Sequence, residues 1–469
     1  MAGWLQKTAM WLDVRKIIEN GANPVKFNIL GMLHTEAEDS PILKILSVDI
    51  VRNYIANIGD YVYIEFSMGL GDYTSKLFPY RNNLEFSLKK ILLEDVSHRK
   101  QTDSVISVER YKAIFLTKHN QQINATSYET HSHSALNLTD VITVKLQLLN
   151  RSLEPLRIKQ VNGVYRQTTQ QQLIHSMMAS ESNKILIDGK PAIDGVDIVE
   201  PDNSKTMQHV IIPDGTNLTS IPSYLQEKMG GVYNSDIGNY LQTFNGKKIW
   251  FIYPLYNVKR FKTNVKKVIF YCIPVTEFPG HDRSYKMEGD ILHIMVTGER
   301  VYDDSADVDY MNHGSGFRMA DANSFMKKPA EMTPDGPIAK RSNLNYEVVG
   351  HQRKDGLNYA PVTKNVVSSN VYAEFSKVNS RSIAKAQLIW EHANPDLLYP
   401  CMPCKFIYLV KDKQIELEGI IAQVHVFSQL TGMGVSAGQH VTQCHITLFI
   451  EITPYVPDAK NLPNTYGGF

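Results

Sequence analysis

Apolar residues recur at every second position over several stretches of the chain. Val62, Ile64, Phe66 and Met68 fall on one face of an extended segment, with Tyr61, Tyr63, Glu65 and Ser67 on the other. Leu84, Phe86 and Leu88 repeat the pattern, as do Ile142, Val144, Leu146 and Leu148. Near the end, Cys444, Ile446, Leu448, Ile450 and Ile452 carry it over five positions, with Gln443, His445, Thr447 and Glu451 mostly opposite. Successive strand residues point to opposite faces, so each stretch predicts a half-buried strand of an antiparallel sheet.

Helical spacing is rarer. Trp4, Trp11, Val14 and Ile18 fit a short amphipathic helix. Thr168–Ser180 fits a second, with Thr168 or Thr169 as N-cap. Ile221–Met229 fits a third, with Pro222 in the first turn, where its missing N–H is tolerated. The expected fold class is therefore β-rich α+β. Its parts are an N-terminal helix or arm (1–24), a strand-rich region (25–155), a mixed α+β region (156–290), an extended loop or arm rich in Asp, Asn, Gly, Pro and Lys (291–365), a second strand-rich region (366–455) and a C-terminal tail (456–469). No solenoid-type tandem repeat is present in the sequence.

Composition narrows the function classes. With 469 residues the chain has room for two to four domains, and its 24 Tyr, 17 Phe and 4 Trp are too many apolar anchors for a disordered chain. Lys and Arg number 49 against 48 Asp and Glu, a net charge of +1, which removes the overall sign of a dedicated nucleic-acid or membrane-surface binder. Four cysteines do not make a disulfide framework, and a reducing compartment is expected. The N-terminal segment does not read as a signal peptide, and no window approaches the roughly 18 apolar residues of a spanning helix. The expectation is a soluble protein made inside a cell.

Candidate chemistry is sparse. Cys401-Met-Pro-Cys404 has the CxxC spacing of a redox pair or half a zinc site. Prolines flank it, however, and a strand rather than a helix follows; Cys272 and Cys444, the only further thiols, sit in apolar strand patterns. These four are read as turn and core residues. His131 and His133 share a strand-like spacing, with His119 upstream, but no carboxylate or cysteine completes a metal set, and an exposed polar loop is expected there. Asp303, Asp304, Asp307 and Asp309 lack the glycine and glutamate positions of an EF-hand loop. Gly69-Leu-Gly71 and Gly314-Ser-Gly316 lack a phosphate-loop context, and no Gly-x-Ser-x-Gly or His-Glu-x-x-His occurs. Catalytic, cofactor-binding and metal residues are thus all expected to be absent, although a carboxylate pair cannot be singled out or dismissed by spacing alone.

Three segments taken in order resemble the baseplate or tail hub proteins of contractile-tailed phages and related injection machines. The first is Ile58–Tyr73 followed by Leu77–Leu84, a strand, a glycine turn and a proline-marked return. The second runs from His209–Gly215 through Ile221–Tyr233 and Ile237–Gln242 to Trp250–Tyr256. The third is Asn394–Pro403 (Asn-Pro-Asp-Leu-Leu-Tyr-Pro-Cys-Met-Pro), a strand, a charged turn at Lys411–Lys413, and Glu418-Gly-Ile-Ile-Ala-Gln-Val. In such hubs glycine and an aliphatic residue often stand where this chain has Cys401 and Cys404. The resemblance implies two small antiparallel β-barrels per chain and a homotrimer whose six barrels meet a six-fold tail tube. It implies as partners the tail tube protein, a central spike or tail-tip protein, baseplate wedge proteins and the tape-measure protein, with no specific nucleic acid and no membrane insertion. A virion-tail location after assembly in the host cytoplasm follows from it too. A tail-associated cell-wall or polysaccharide hydrolase and a β-rich receptor-binding module remain the alternatives.

Overall fold

The computed structural model describes residues 9–19, 26–42, 44–93, 104–116, 141–229, 231–233, 236–274, 284–303, 317–320, 346–349, 384–410, 413–431 and 438–450. Strands dominate. The first stretch supplies β1 (Lys26–His34), β2 (Asp39–Ile42), β3 (Lys44–Asn53), β4 (Tyr61–Gly69), β5 (Leu84–Leu93), β6 (Ser104–Phe115) and β7 (Val141–Asn150). The middle supplies β8 (Gln160–Thr168), the two-residue β9 (Leu186–Ile187) and β10 (Lys190–Pro191), β11 (Gly195–Ile198), β12 (Met207–Asn217), β13 (Ile237–Phe244), β14 (Lys247–Pro254) and β15 (Lys267–Cys272). After it come β16 (Tyr285–Glu288), β17 (Ile291–Asp303), β18 (Phe317–Ala320), β19 (Tyr346–Val349), β20 (Ala384–Trp390), β21 (Pro403–Val410), β22 (Lys413–Thr431) and β23 (Gln439–Ile450).

Fourteen of these strands share one large sheet. Followed from strand to strand, its pairings close on themselves twice. One circuit runs β22–β3–β4–β7–β6–β5–β1–β23 and returns to β22. The other runs β15–β21–β22–β23–β20–β17 and returns to β15. The β22–β23 hairpin belongs to both. The sheet is mixed rather than purely antiparallel, because β15 arrives from the middle region and lies parallel to both β17 and β21.

A bulge marks where the hairpin passes from one circuit to the other. Residues 413–420 of β22 pair with β21, residues 423–429 pair with β3, and the register with β23 shifts between Ile421 and Gln423. An extra residue bends and twists a strand. Here the displaced Ala422 carbonyl accepts from the Tyr54 amide at 3.1 Å, and the Ile421 amide donates to the Met402 carbonyl at 3.1 Å. Gly419 beside it is forced: a Cβ there would stand 2.3 Å from the Phe449 carbonyl oxygen.

The alternation read from the sequence fills the interior. Val62, Ile64 and Phe66 of β4, Leu84, Phe86 and Leu88 of β5, and Val144, Leu146 and Leu148 of β7 are buried in one continuous core. That core extends through Val424, Val426, Cys444, Ile446 and Leu448 of the hairpin to Phe270, Leu292 and Phe406 of the second circuit. Met68 is only half-buried, at the strand's end, and Ile452 lies outside the described residues. The apolar face Leu292, Ile294 and Val296 makes β17 a sheet strand within the stretch read as the start of an extended arm. Its period-two pattern was the overlooked signal.

The middle region builds a second core. Helix Gln170–Asn183 starts at a capping box: Thr169 Oγ1 accepts from the Gln172 amide and Gln172 Oε1 accepts from the Thr169 amide, each at 3.2 Å. Its Leu173, Ile174, Met177 and Met178 pack with Ile221 and Leu225 of helix Ile221–Lys228 and with Trp250 of β14. The expected first helix runs Ala9–Glu19 and buries Met10, Val14 and Ile17 against Tyr271, Met295 and Ile407, outside the second circuit. Trp11 and Ile18 flank that face, and Trp4 lies outside the described residues. Among the described residues no helix is long and apolar enough to cross a membrane.

Phe66 has no solvent exposure and its ring centroid lies 5.7 Å from that of Phe86. Phe66→Ala should cost about 3–5 kcal/mol by chemical denaturation. A loss below about 1 kcal/mol would contradict the packing described for β4.

Candidate functional site

Groups from the first circuit and from the middle region converge on the Asn394–Pro403 segment. From the first circuit, Arg52 Nη1 donates to the Pro395 carbonyl at 3.0 Å and Arg52 Nη2 lies 3.6 Å from Asp396 Oδ1. Lys90 Nζ reaches Asp396 Oδ2 at 2.8 Å. From the middle region, Gln242 Nε2 donates to the Leu398 carbonyl at 2.7 Å, and Arg260 Nη2 donates to the Cys401 carbonyl. Tyr399 returns the contact by donating to the Lys266 carbonyl at 2.7 Å. The strap thereby fastens the first circuit, the middle core and the entry to β21.

Charge is balanced inside this junction. Arg52, 4% exposed, also pairs with Asp60 at 3.3 Å, and Asp60 accepts from the Tyr240 hydroxyl at 2.8 Å. Tyr54 donates to Gln242 Oε1 at 3.2 Å, and Tyr253 donates to the Tyr54 carbonyl at 2.7 Å. Burial by itself raises the Asp396 carboxyl, but the adjacent Lys90 and Arg52 charges outweigh it and hold the group below its ordinary value. Glu109 goes the other way: burial raises it, while its 2.6 Å hydrogen bond from Tyr111 only partly compensates.

The CxxC does not assemble a reactive site. Tyr399, Pro400, Cys401 and Met402 form a turn closed by the Met402 amide on the Tyr399 carbonyl at 3.2 Å, and Cys401 adopts φ +49°. That left-handed backbone is one that glycine adopts most easily. Cys404 lies in β21. Burial pushes the Cys401 thiol up to about 12, against the lowering effect of Arg260, and raises Cys404 further. Cys444 is likewise pushed up to about 12 by burial, and Cys272 is raised. All four are free thiols, and a thiol held protonated is a poor nucleophile and a poor metal ligand. Among the described residues no group of three or more His, Cys, Asp and Glu is placed to hold a metal. His119, His131, His133, Asp304, Asp307 and Asp309 lie outside the described residues, as does the side chain of Asp303.

The outward faces of the first circuit carry paired charges. Glu65 faces Lys145 in register and meets it at 3.1 Å. Glu85 is shared by Arg110 at 2.5 Å and Arg151 at 3.1 Å. Tyr61, Tyr63 and Ser67 lie half-buried on the same face.

No family model and no curated protein sequence matches the chain. Among solved structures it is similar to phage tail proteins and type VI secretion components. The 43 kDa tail protein of prophage MuSo2 from Shewanella oneidensis matches with TM-score 0.43 and 8% identity over 91% of this chain and 96% of that one. A tail protein from Neisseria meningitidis matches with TM-score 0.42 and 9% identity over 90% and 97%. A PdpA–VgrG complex matches with TM-score 0.40 and 8% identity over 92% of this chain; the match spans 66% of that longer chain.

Two outcomes follow from the junction and the turn. Asp396→Asn should cost about 1–3 kcal/mol at neutral pH, because Lys90 loses its carboxylate and Arg52 keeps only Asp60. A carboxyl with a depressed folded-state value stabilises above its unfolded value and loses that contribution as pH falls through the folded one. The gap between wild type and Asp396→Asn should therefore shrink below about pH 4; a gap independent of pH would contradict the ionic role. Thiol titration of the native protein should leave Cys401, Cys404 and Cys444 unlabelled until unfolding, whereas rapid native labelling of the CxxC would overturn the core reading.

Proposed function

We propose that the chain is a structural hub of a phage tail or a related injection apparatus. In this reading the two closed strand circuits are its two barrels, and three copies form a ring joining the tail tube to a tail tip or central spike. The observation that carries it is the pair of circuits fused through one hairpin. A single rigid unit presents two rings of strands side by side, and three such units present six around an axis. Heterologous contacts that close after three copies produce such an assembly. The positions of the segments that resemble hub proteins support this reading: 58–73 spans the approach to β4 and β4 itself, 237–242 and 250–256 lie in β13, β14 and the turn after it, and 394–403 and 418–424 lie in the strap and in β22.

The role assigned here is structural and non-enzymatic, without cofactor. The buried, protonated thiols and the structural engagement of the charged junction support that assignment. Its neighbours would be the tube protein, the spike or tip protein, wedge proteins and the tape-measure protein. Assembly would occur in the host cytoplasm and the finished protein would reside in the virion tail.

The paired outward face offers the test. Glu65→Lys sets two lysines opposite each other with Lys145 and should cost no more than about 1 kcal/mol in the isolated chain. Sedimentation of wild type, alone and with tail partners, should give three copies, and Glu65→Lys should weaken that assembly. Adding Lys145→Glu restores the pair within the chain with its charges exchanged, and should leave assembly impaired. A strict monomer in every condition, or normal assembly of both variants, would contradict the hub reading.

A further inference from the structure

A cavity of about 930 Å³ opens between the three-stranded sheet and the strap, and nothing in the junction's role accounts for its lining. One wall is aromatic. Phe251 and Tyr399 stack at 6.0 Å with an 18° interplanar angle, and Phe244 meets both rings edge-on at 6.1 and 5.8 Å. The wall also includes β11, an edge strand of the order β11–β14–β13, through Asp197. Arg260 lines the cavity while 95% of it is withdrawn from solvent, its exposure being 5%. Its Nη2 is bound to the Cys401 carbonyl, but Nε and Nη1 have no acceptor among the described residues. No carboxylate pairs with it among the described residues. A buried guanidinium with two unmet donor nitrogens is costly unless an acceptor arrives.

The geometry points to this cavity as a binding site for an extended peptide segment that carries a carboxylate side chain next to an aromatic one, with Arg260 receiving the carboxylate and the Phe251–Tyr399 wall receiving the ring. Guanidinium matches a planar carboxylate with two parallel N–H bonds. The aromatic wall gives a flat ring an offset or edge contact. β11 is an edge strand among the described residues, and sheet edges are one route by which proteins take up extended peptides. Asp197, Glu200 and Asp202 line the cavity beside Lys259, Arg260 and Lys266, so the lining is mixed in charge and suits a ligand that is not uniformly anionic. Both unmet nitrogens are shielded from solvent in the unliganded chain; in this assignment the guanidinium turns toward the cavity as the carboxylate arrives. The site does not depend on the hub reading; within that reading, the segment would come from a neighbouring protein of the assembly.

Calorimetry and thermal shift on the full chain with three blocked dipeptides test this directly. N-acetyl-Tyr-Glu-amide should bind and raise the melting temperature, N-acetyl-Tyr-Gln-amide should bind about tenfold more weakly, and N-acetyl-Tyr-Lys-amide should not bind. Arg260→Met fills the same space without charge and should abolish the Glu-over-Gln preference, while Arg260→Lys should retain part of it. If Arg260→Met fails to fold, the preference in wild type and its reduction in Arg260→Lys still decide. Equal binding of the Glu and Gln peptides by wild type, or no binding of either at millimolar concentration, would overturn the assignment and leave Arg260 as a support for the Cys401 turn. Either result stands apart from whether the chain forms a trimer.

Discussion

The shared hairpin is the constraint on which the rest depends. A strand of ordinary length serves one sheet, whereas β22, with 19 residues, is long enough to serve two circuits in succession. The bulge at Ala422 bends it at the point of transfer, and Gly419 lets the Phe449 carbonyl approach where no side chain fits. Because β23 follows the same course antiparallel to it, both circuits inherit their relative placement from one hydrogen-bonded ladder rather than from a flexible linker. The apolar core runs through the hairpin without a break. One ladder and one core thus link the two circuits.

The ionic strap completes what the hairpin begins. Arg52 and Lys90 leave the first circuit to meet Asp396, while Gln242 and Arg260 come from the middle region to carbonyls of the same segment. Buried charges stabilise little on balance, yet removing one partner is expensive, so such a cluster fixes a unique arrangement more than it adds stability. For a protein whose proposed task is to hold two rings at a set spacing, uniqueness is the relevant property.

Much of this was legible in the sequence, and the limits have physical causes. Period-two patterns located β4, β5, β7 and β23 and assigned their inward residues, because one face of each strand is buried. Thr169 announced its helix through local chemistry. The closure of the circuits was not legible: β1 and β23, or β3 and β22, are some 400 residues apart in sequence, and no local pattern records which edges meet. The parallel placement of β15 is equally non-local. The strap's residues looked unremarkable one by one, since Arg52, Lys90 and Asp396 acquire meaning only when the fold removes water from them. The CxxC spacing alone suggests chemistry, but its flanking prolines already read as a turn, and its first cysteine stands where the backbone favours glycine.

A reconstruction by electron microscopy of the protein in its assembled state tests the central claim most directly. The account predicts three copies about one axis, each contributing two rings of strands to a continuous circle of six, with the β22–β23 hairpin running between the two rings of each copy. A single copy per assembly, or copies whose two rings do not lie in one circle, would contradict it.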